Sequence, residues 1–267
     1  MAPFASKWFE ASTAGSRKAE RLALGLLFPS IKGKGPEVRN LKHVAFFPRI
    51  GVAFNRLQKN GNSTAVGFLH YLEHGGYEPA GQAKAQAVRF SELGTSGVIR
   101  LNKARRVVVV RDPYSRTLSA FLDKFRLQDY RRDYGQFELN KRGFRNFLTF
   151  LEKGGLHANK HWSPQTDRML LAHNKYNAVI PFSSFPDAFV RSLEGWVPQT
   201  RDKWAEFARG GPEGPPATKA NTKIEAFYSL DDFETIERLF EADFAVPQIR
   251  DEATRVREAF ERSRVRE

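Results

Sequence analysis

Lys59, Gly61, Ser63 and Thr64 stand within six residues in NRLQKNGNST, between the apolar run RIGVAFNRL and the amphipathic run STAVGFLHYLEH. Apolar residues, then a polar turn, then helical spacing predict strand, loop and helix in that order. In such an arrangement the loop amides open on the positive end of the helix, which suits a phosphate. The Walker A order is nevertheless absent, because Lys59 precedes Gly61 rather than following it. Taken alone, the loop is either a phosphate site or a polar turn.

A second group lies in RRVVVVRDPYSRTLSAFLDKF. The run Val107 to Val110 is apolar on both faces, as a central parallel strand requires. Arg111 follows at its carboxyl end, the edge where ligands collect in open α/β sheets. Asp112 and Pro113 turn the chain, and Leu118, Phe121, Leu122 and Phe125 then recur at helical spacing, which puts Ser119 about one turn inside the helix. A forked guanidinium and a hydroxyl converging from strand end and helix make a clamp for a terminal phosphate. The competing reading pairs Arg111 with Asp112 or a neighbour to organise the turn. A third pattern, His70-x-x-Glu73-His74, would set two zinc ligands one turn apart with Glu73 as base. Gly75 and Gly76 end that helix at once and no third ligand follows by spacing, so partly exposed helix histidines and no metal are expected.

The elements that must position these groups are set by composition and periodicity. With 267 residues, 41% of them hydrophobic, the chain can bury one sizeable core. Its 43 basic against 30 acidic residues and formal charge of +13 favour an anionic partner. A nucleic-acid-binding protein would share that charge, but no RNP-like or zinc-knuckle signature appears, and the aromatics of FRNFLTFLEK have helix-core spacing. No disulfide or thiolate metal site is possible without cysteine. The longest apolar run, LALGLLF, is far too short to span a membrane, so a soluble, cytoplasmic protein is expected.

From His43 onward the strand-like runs VAFNRL, RVVVVR and YNAVIPF alternate with amphipathic stretches, the pattern of an α/β domain with a central parallel sheet flanked by helices. Three parts are expected: a basic amphipathic extension over 1–40, a catalytic domain over 41–250, and a charged helix or tail over 251–267. The extension is read as a helix packed on the domain, with peripheral membrane contact as the alternative. The Gly/Pro-rich connection RGGPEGPPATKANTK is either a linker or a working lid. LDDFETIERLFEADF begins with a capping Asp and continues at helical spacing.

FNRLQKNGNST followed by VVVVRDPYSRTLSAFLDKF resembles the paired nucleotide signatures of carbohydrate sulfotransferases that use 3′-phosphoadenosine-5′-phosphosulfate (PAPS), particularly the heparan 2-O- and chondroitin-type branch. HWSPQTDRM, KYNAVIPFSSF, ANTKIEAFYS and LFEADF resemble further segments of that family, in the same order. The likeness covers roughly residues 43 to 246 and implies a P-loop-NTPase-like sulfotransferase fold. Departures are Gln58 where the family has Pro, Asn60 and Asn62 in place of small residues or Thr, and Ser183 and Ser184 where a Glu is usual. With neither an anchor-length run nor cysteines, the chain resembles a soluble, bacterial-style member.

The resemblance implies transfer of a sulfuryl group from PAPS to a carbohydrate or glycoconjugate hydroxyl, leaving adenosine 3′,5′-bisphosphate, with no metal required and no nucleic-acid partner. Lys59, Asn60, Gly61, Asn62, Ser63 and Thr64 would hold the 5′-phosphosulfate, with Lys59 as the catalytic cation, and Arg111 and Ser119 would hold the 3′-phosphate. Lys219 and Lys223, on the Gly/Pro-rich connection, are either lid residues or solvated lysines. The base is His161 or Glu78, with His161 preferred because an ordinary imidazole titrates near neutral pH. A nucleotide kinase on a similar sheet is the alternative enzyme, although the Gly-Lys-Ser/Thr ending it needs is missing.

Overall fold

Val44–Phe47 (β1), Val52–Asn55 (β2), Arg105–Val110 (β3) and Ala178–Pro181 (β4) lie side by side in that order. They belong to a computed structural model that describes residues 43–88, 100–210 and 219–265. The expected N-terminal extension, and residues 211–218 of the Gly/Pro-rich connection, lie outside the described residues. Strands β2, β3 and β4 run parallel, Phe54 opposite Val107 and Val107 opposite Ala178. Strand β1, which the sequence pattern does not distinguish, is antiparallel to β2. The turn between them is too short for a crossover, so only a hairpin can join them. Gly51, at φ 66°, supplies its left-handed residue.

The valine run sits in the middle of the sheet and is buried throughout. Val107 and Val109 face one layer, where Asn62–His74 (α1), Asp187–Glu194 and Thr200–Gly210 bring Phe68, Phe189 and Phe207 against them. Val108 and Val110 face the other, packed with Leu57, Met169, Val246 and Ile249. This alternation is the period of two of a strand buried on both faces. The short helix Ala80–Gln86 (α2) packs on α1 through the buried Ala83.

Helix Pro113–Lys124 (α3) leads away from the end of β3. Asp112 caps it by accepting from the Ser115 N–H at 2.7 Å, and Pro113 occupies the first turn. Its apolar face enters an aromatic core shared with Lys141–Glu152 (α4), Leu230–Leu239 (α5) and Pro247–Arg264 (α6), which contains Phe125, Phe147, Trp162 and Phe233. The cap of α5 is not the predicted Asp but Ser229, which precedes the run, and Asp232 returns the bond in a capping box. Helix α6 is continuous across residue 250, so no break separates the expected tail from the domain.

No helix of the described residues is long and apolar enough to cross a membrane. Phe121 anchors α3, fully buried with ring centroids 5.3 Å from Phe144 and 5.5 Å from Phe147. Replacing it by Ala should cost about 3–5 kcal/mol, the usual range for a buried Phe. Urea unfolding followed by tryptophan fluorescence would measure it, and a loss below about 1 kcal/mol would mean that this cluster does not hold α3.

Candidate active site

The loop after β2 owes its shape to two left-handed residues, Lys59 at φ 69° and Gly61 at φ 70°. Gly61 occupies the N-cap of α1 and provides no capping side chain, so the first-turn amides have no side-chain acceptor. A Cβ on Gly61 would come within 2.9 Å of the Phe185 ring, a second reason for glycine there. Between these residues Asn60 points inward. Its Nδ2 donates to Val109 O at 2.9 Å and to Gln165 Oε1 at 2.6 Å, which fastens the loop to the central strand.

Arg111 leaves the end of β3 and meets the same loop. Its guanidinium donates to Lys59 O at 3.1 Å, to Ser115 Oγ at 3.1 Å and to Asn221 Oδ1 at 2.5 Å, and lies 4.5 Å from the Phe182 ring centroid. Burial pushes its pKa down, and the Asp112 and Glu252 charges oppose that shift. Asp112 makes no ion pair with Arg111 and serves instead as the helix cap, taking both the amide and the hydroxyl of Ser115. Of the alternative reading, the pairing with Asp112 is not found, but Arg111 does bond a neighbour in the turn, Ser115, and it braces the two loops as well.

Beneath both turns lies Gln165, from HWSPQ, fully buried. Its Oε1 accepts from Asn60 and from the Arg111 amide at 3.0 Å, while its Nε2 donates to Arg111 O at 2.7 Å. Asp243, from LFEADF, holds the segment by accepting from the amides of Gln165 at 2.9 Å and Thr166 at 2.8 Å. Arg116, also buried, ties α3 to Gln58 O at 3.3 Å and Ser163 O at 2.9 Å. Glu252, from α6, accepts from the Ser183 amide at 2.6 Å and the Asp112 amide at 3.2 Å, joining the ends of β4 and β3. Burial and the Asp112 charge push Glu252 up to about 7.

These contacts frame a cavity of about 470 Å³ lined by loop residues Gln58, Lys59 and Gly61 to Thr64, by Arg111, Ser119 and His161, and by Lys219 from the connection. Lys84, Asp123, Lys124, Phe182 and Asn221, none of them singled out in the sequence, also line it. Asn60 is absent from this lining because its side chain serves the fold. Glu78 is partly buried outside the cavity and Lys223 is exposed beyond it. Among the described residues, Asp123 is the one carboxylate in the wall. It pairs with Lys59 at 3.2 Å, Lys124 at 3.0 Å and Arg126 at 3.0 Å. Burial works against its charge, but the hydrogen bonds and charges of Lys124 and Lys59 prevail and hold the carboxyl below its usual range. Spacing contained a signal for it, since Asp123 follows Ser119 by four residues and so shares its helix face.

The environment of His161 differs from the neutral-pH imidazole expected. Burial comes first, followed by the charges of Lys124, Lys59 and Lys160, and together they push it down to about 3. Burial also pushes Lys59 down, opposed by Asp123. Of the zinc-like pattern, His74 is exposed, its ring centroid 4.4 Å from that of His70. His70 is buried rather than partly exposed and bonds Gln86 Oε1 at 2.6 Å, while Glu73 accepts from the amides of Arg49 at 2.9 Å and Ile50 at 3.0 Å in the β1–β2 turn. The described residues contain no group of side chains arranged to hold a metal.

A family model described as the Sulfotransferase family matches residues 42–194, more than half of the chain. That span includes both strand-end turns and His161, and stops short of Lys219, Asn221 and Glu252. Neither the curated proteins nor the solved structures contain a match to this chain.

The depressed imidazole carries a signed stability effect. His161 titrates near 6.5 when unfolded and near 3 when folded, so the unfolded chain binds more protons between those values and stability rises with pH across that window. The contribution is complete above about 6.5 and is lost as pH falls toward 3. Melting temperatures of wild type and His161→Asn, taken at pH 7 and pH 4.5, should show a smaller drop in the variant. Equal drops would mean that His161 is not held neutral by its surroundings.

Proposed function

The chain belongs to the sulfotransferase family, and from that premise we propose that it transfers a sulfuryl group from PAPS to a hydroxyl of a carbohydrate or glycoconjugate. The observation that carries this reading is the convergence of two strand-end turns, bearing Lys59 and Arg111, on one cation-rich cavity. A donor with phosphates at both ends needs two separate anion sites a fixed distance apart, and the brace from Arg111 to Lys59 O supplies the fixed relation.

In this reading the amides from Lys59 to Thr64, with the Ser63 and Thr64 hydroxyls, hold the 5′-phosphate at the α1 N-terminus. Arg111 and Ser119 hold the 3′-phosphate, and Asn221 and Lys219 close the same wall. The acceptor oxygen attacks sulfur from the side opposite the bridging oxygen. The bond from sulfur to that oxygen breaks, and its electron pair leaves on the 5′-phosphate of adenosine 3′,5′-bisphosphate. Lys59 faces the charge as it develops, which lowers the barrier without merely tightening ground-state binding. Asp123 restrains Lys59 meanwhile.

His161 takes the acceptor proton. Burial and then the lysine field make it a poor base in the free protein, and an anionic donor lying among those lysines offsets the second of these and so raises the imidazole. Glu78, the alternative base, has no place in the cavity wall. The strongly basic composition extends the reading to acceptors that are themselves anionic. A chain without cysteine is compatible with a cytoplasmic location.

Adenosine 3′,5′-bisphosphate should raise the melting temperature much more than AMP, since only the former meets Arg111 and Ser119. Equal shifts would remove the two-site assignment. Lys59→Ala should lower turnover by about 100- to 1,000-fold, the scale of a lost transition-state contact, with bisphosphate affinity changed by less than about 5-fold. Affinity lost with turnover retained would make Lys59 an anchor only. Full activity in EDTA should accompany both results.

A further inference from the structure

Lys84, on α2, is held in place from two sides. The neighbouring Ala83 is buried in the core, and Gln86 bonds His70 of α1 at 2.6 Å. From that position the Lys84 Nζ reaches into the cavity and donates to Ser63 Oγ at 2.5 Å, in the first turn of α1. An ammonium has three N–H donors, so two remain for another partner.

The location is electrostatically unfavourable for a lysine with only a structural role. It lies at the positive end of a helix, where anions are stabilised and cations are not. Burial pushes its pKa down, and the charge of Arg56 lowers it further. Arg56 itself follows β2 and has a buried Nε without a partner. Among the described residues no carboxylate forms an ion pair with Lys84 or Arg56. Lys59 and Lys124 share Asp123, but Lys84 has only a hydroxyl. A half-buried cation surrounded by like charge is retained at a cost that a bound anion removes.

We propose that Lys84 is a second catalytic cation, which contacts the sulfuryl group of the donor during transfer. This rests on the donor assignment of the preceding subsection. Ser63 puts Lys84 at the phosphosulfate end of the cavity, whereas Arg111 and Ser119 serve the far phosphate. Lys59 meets the oxygen that leaves, and Lys84 meets the oxygens that travel with sulfur. The two lysines therefore act on different atoms of one transition state.

The test needs no knowledge of the acceptor, because water can take its place. Water oxygen attacks sulfur, the electron pair of the breaking bond leaves on the 5′-phosphate, and sulfate, two protons and adenosine 3′,5′-bisphosphate are released. Lys84→Met, Lys84→Gln and Lys84→Arg would be compared with wild type for PAPS hydrolysis, for bisphosphate affinity by calorimetry, and for melting temperature without ligand. The bisphosphate keeps both phosphates and lacks only the sulfuryl group. Lys84→Met and Lys84→Gln should hydrolyse PAPS about 100-fold more slowly, as for one lost oxyanion donor, with bisphosphate affinity within about 3-fold of wild type. Relief of like-charge repulsion should leave their melting temperatures equal to wild type or higher, and Lys84→Arg should recover part of the rate. Wild-type rates in both neutral variants would overturn the proposal, as would bisphosphate affinity falling in step with rate. Should Met not fold at this position, Gln carries the same comparison. A wild-type protein that binds neither PAPS nor the bisphosphate would overturn the donor assignment, and the role of Lys84 with it.

Discussion

The buried carboxamide of Gln165 is the joint on which the cavity depends. It holds Asn60 of one turn and both backbone groups of Arg111 in the other, and Asp243 fixes its own backbone from a distant helix. A carboxamide suits this position because it both donates and accepts, so it satisfies an amide N–H and a carbonyl that no strand continues to pair. The local dielectric is low, so each of these bonds is costly to leave unmade. The two turns are thus fixed relative to one another before any ligand arrives.

On that rigid base sits a wall of mostly uncompensated positive charge. Lys59, Lys84, Lys124, Arg111 and Lys219 face a single carboxylate among the described residues. Such an arrangement works against folding and in favour of anion binding, the trade often found at functional sites. The fold offsets it with an aromatic core on one side of α3 and a sheet buried on both faces. Asp123 moderates the wall without neutralising it, since it is shared by three cations. The same field adds to burial in depressing the imidazole of His161.

The C-terminal helix α6 takes part in this construction although it lies beyond the span that matches the family. Glu252 bridges the amides at the ends of β3 and β4, in the corner where Ser183 and Ser184 stand in place of the family's usual Glu. An acidic side chain thus reaches that corner from a different element. It packs close enough to Arg111 for its charge to oppose the effect of burial there.

Local pattern by itself determined the strand-turn-helix order at both turns, the central place of Val107 to Val110 and the apolar face of α3, because period-two and helical spacing are properties of neighbouring residues. It also determined the excess of positive charge. What it could not determine is which distant groups meet. Asn60 has the composition of a binding-loop residue, yet tertiary contact with Val109 and Gln165 turns it inward. His161 has an ordinary imidazole in sequence, and its burial, with the gathering of Lys124, Lys59 and Lys160 around it, changes its titration. Glu78 lies near the first helix in sequence, but the fold leaves it outside the cavity while bringing in Lys84 and Asp123. Electrostatic and hydrogen-bonding environments depend on separations of a few ångströms between residues tens of positions apart, and no periodicity along the chain encodes those separations.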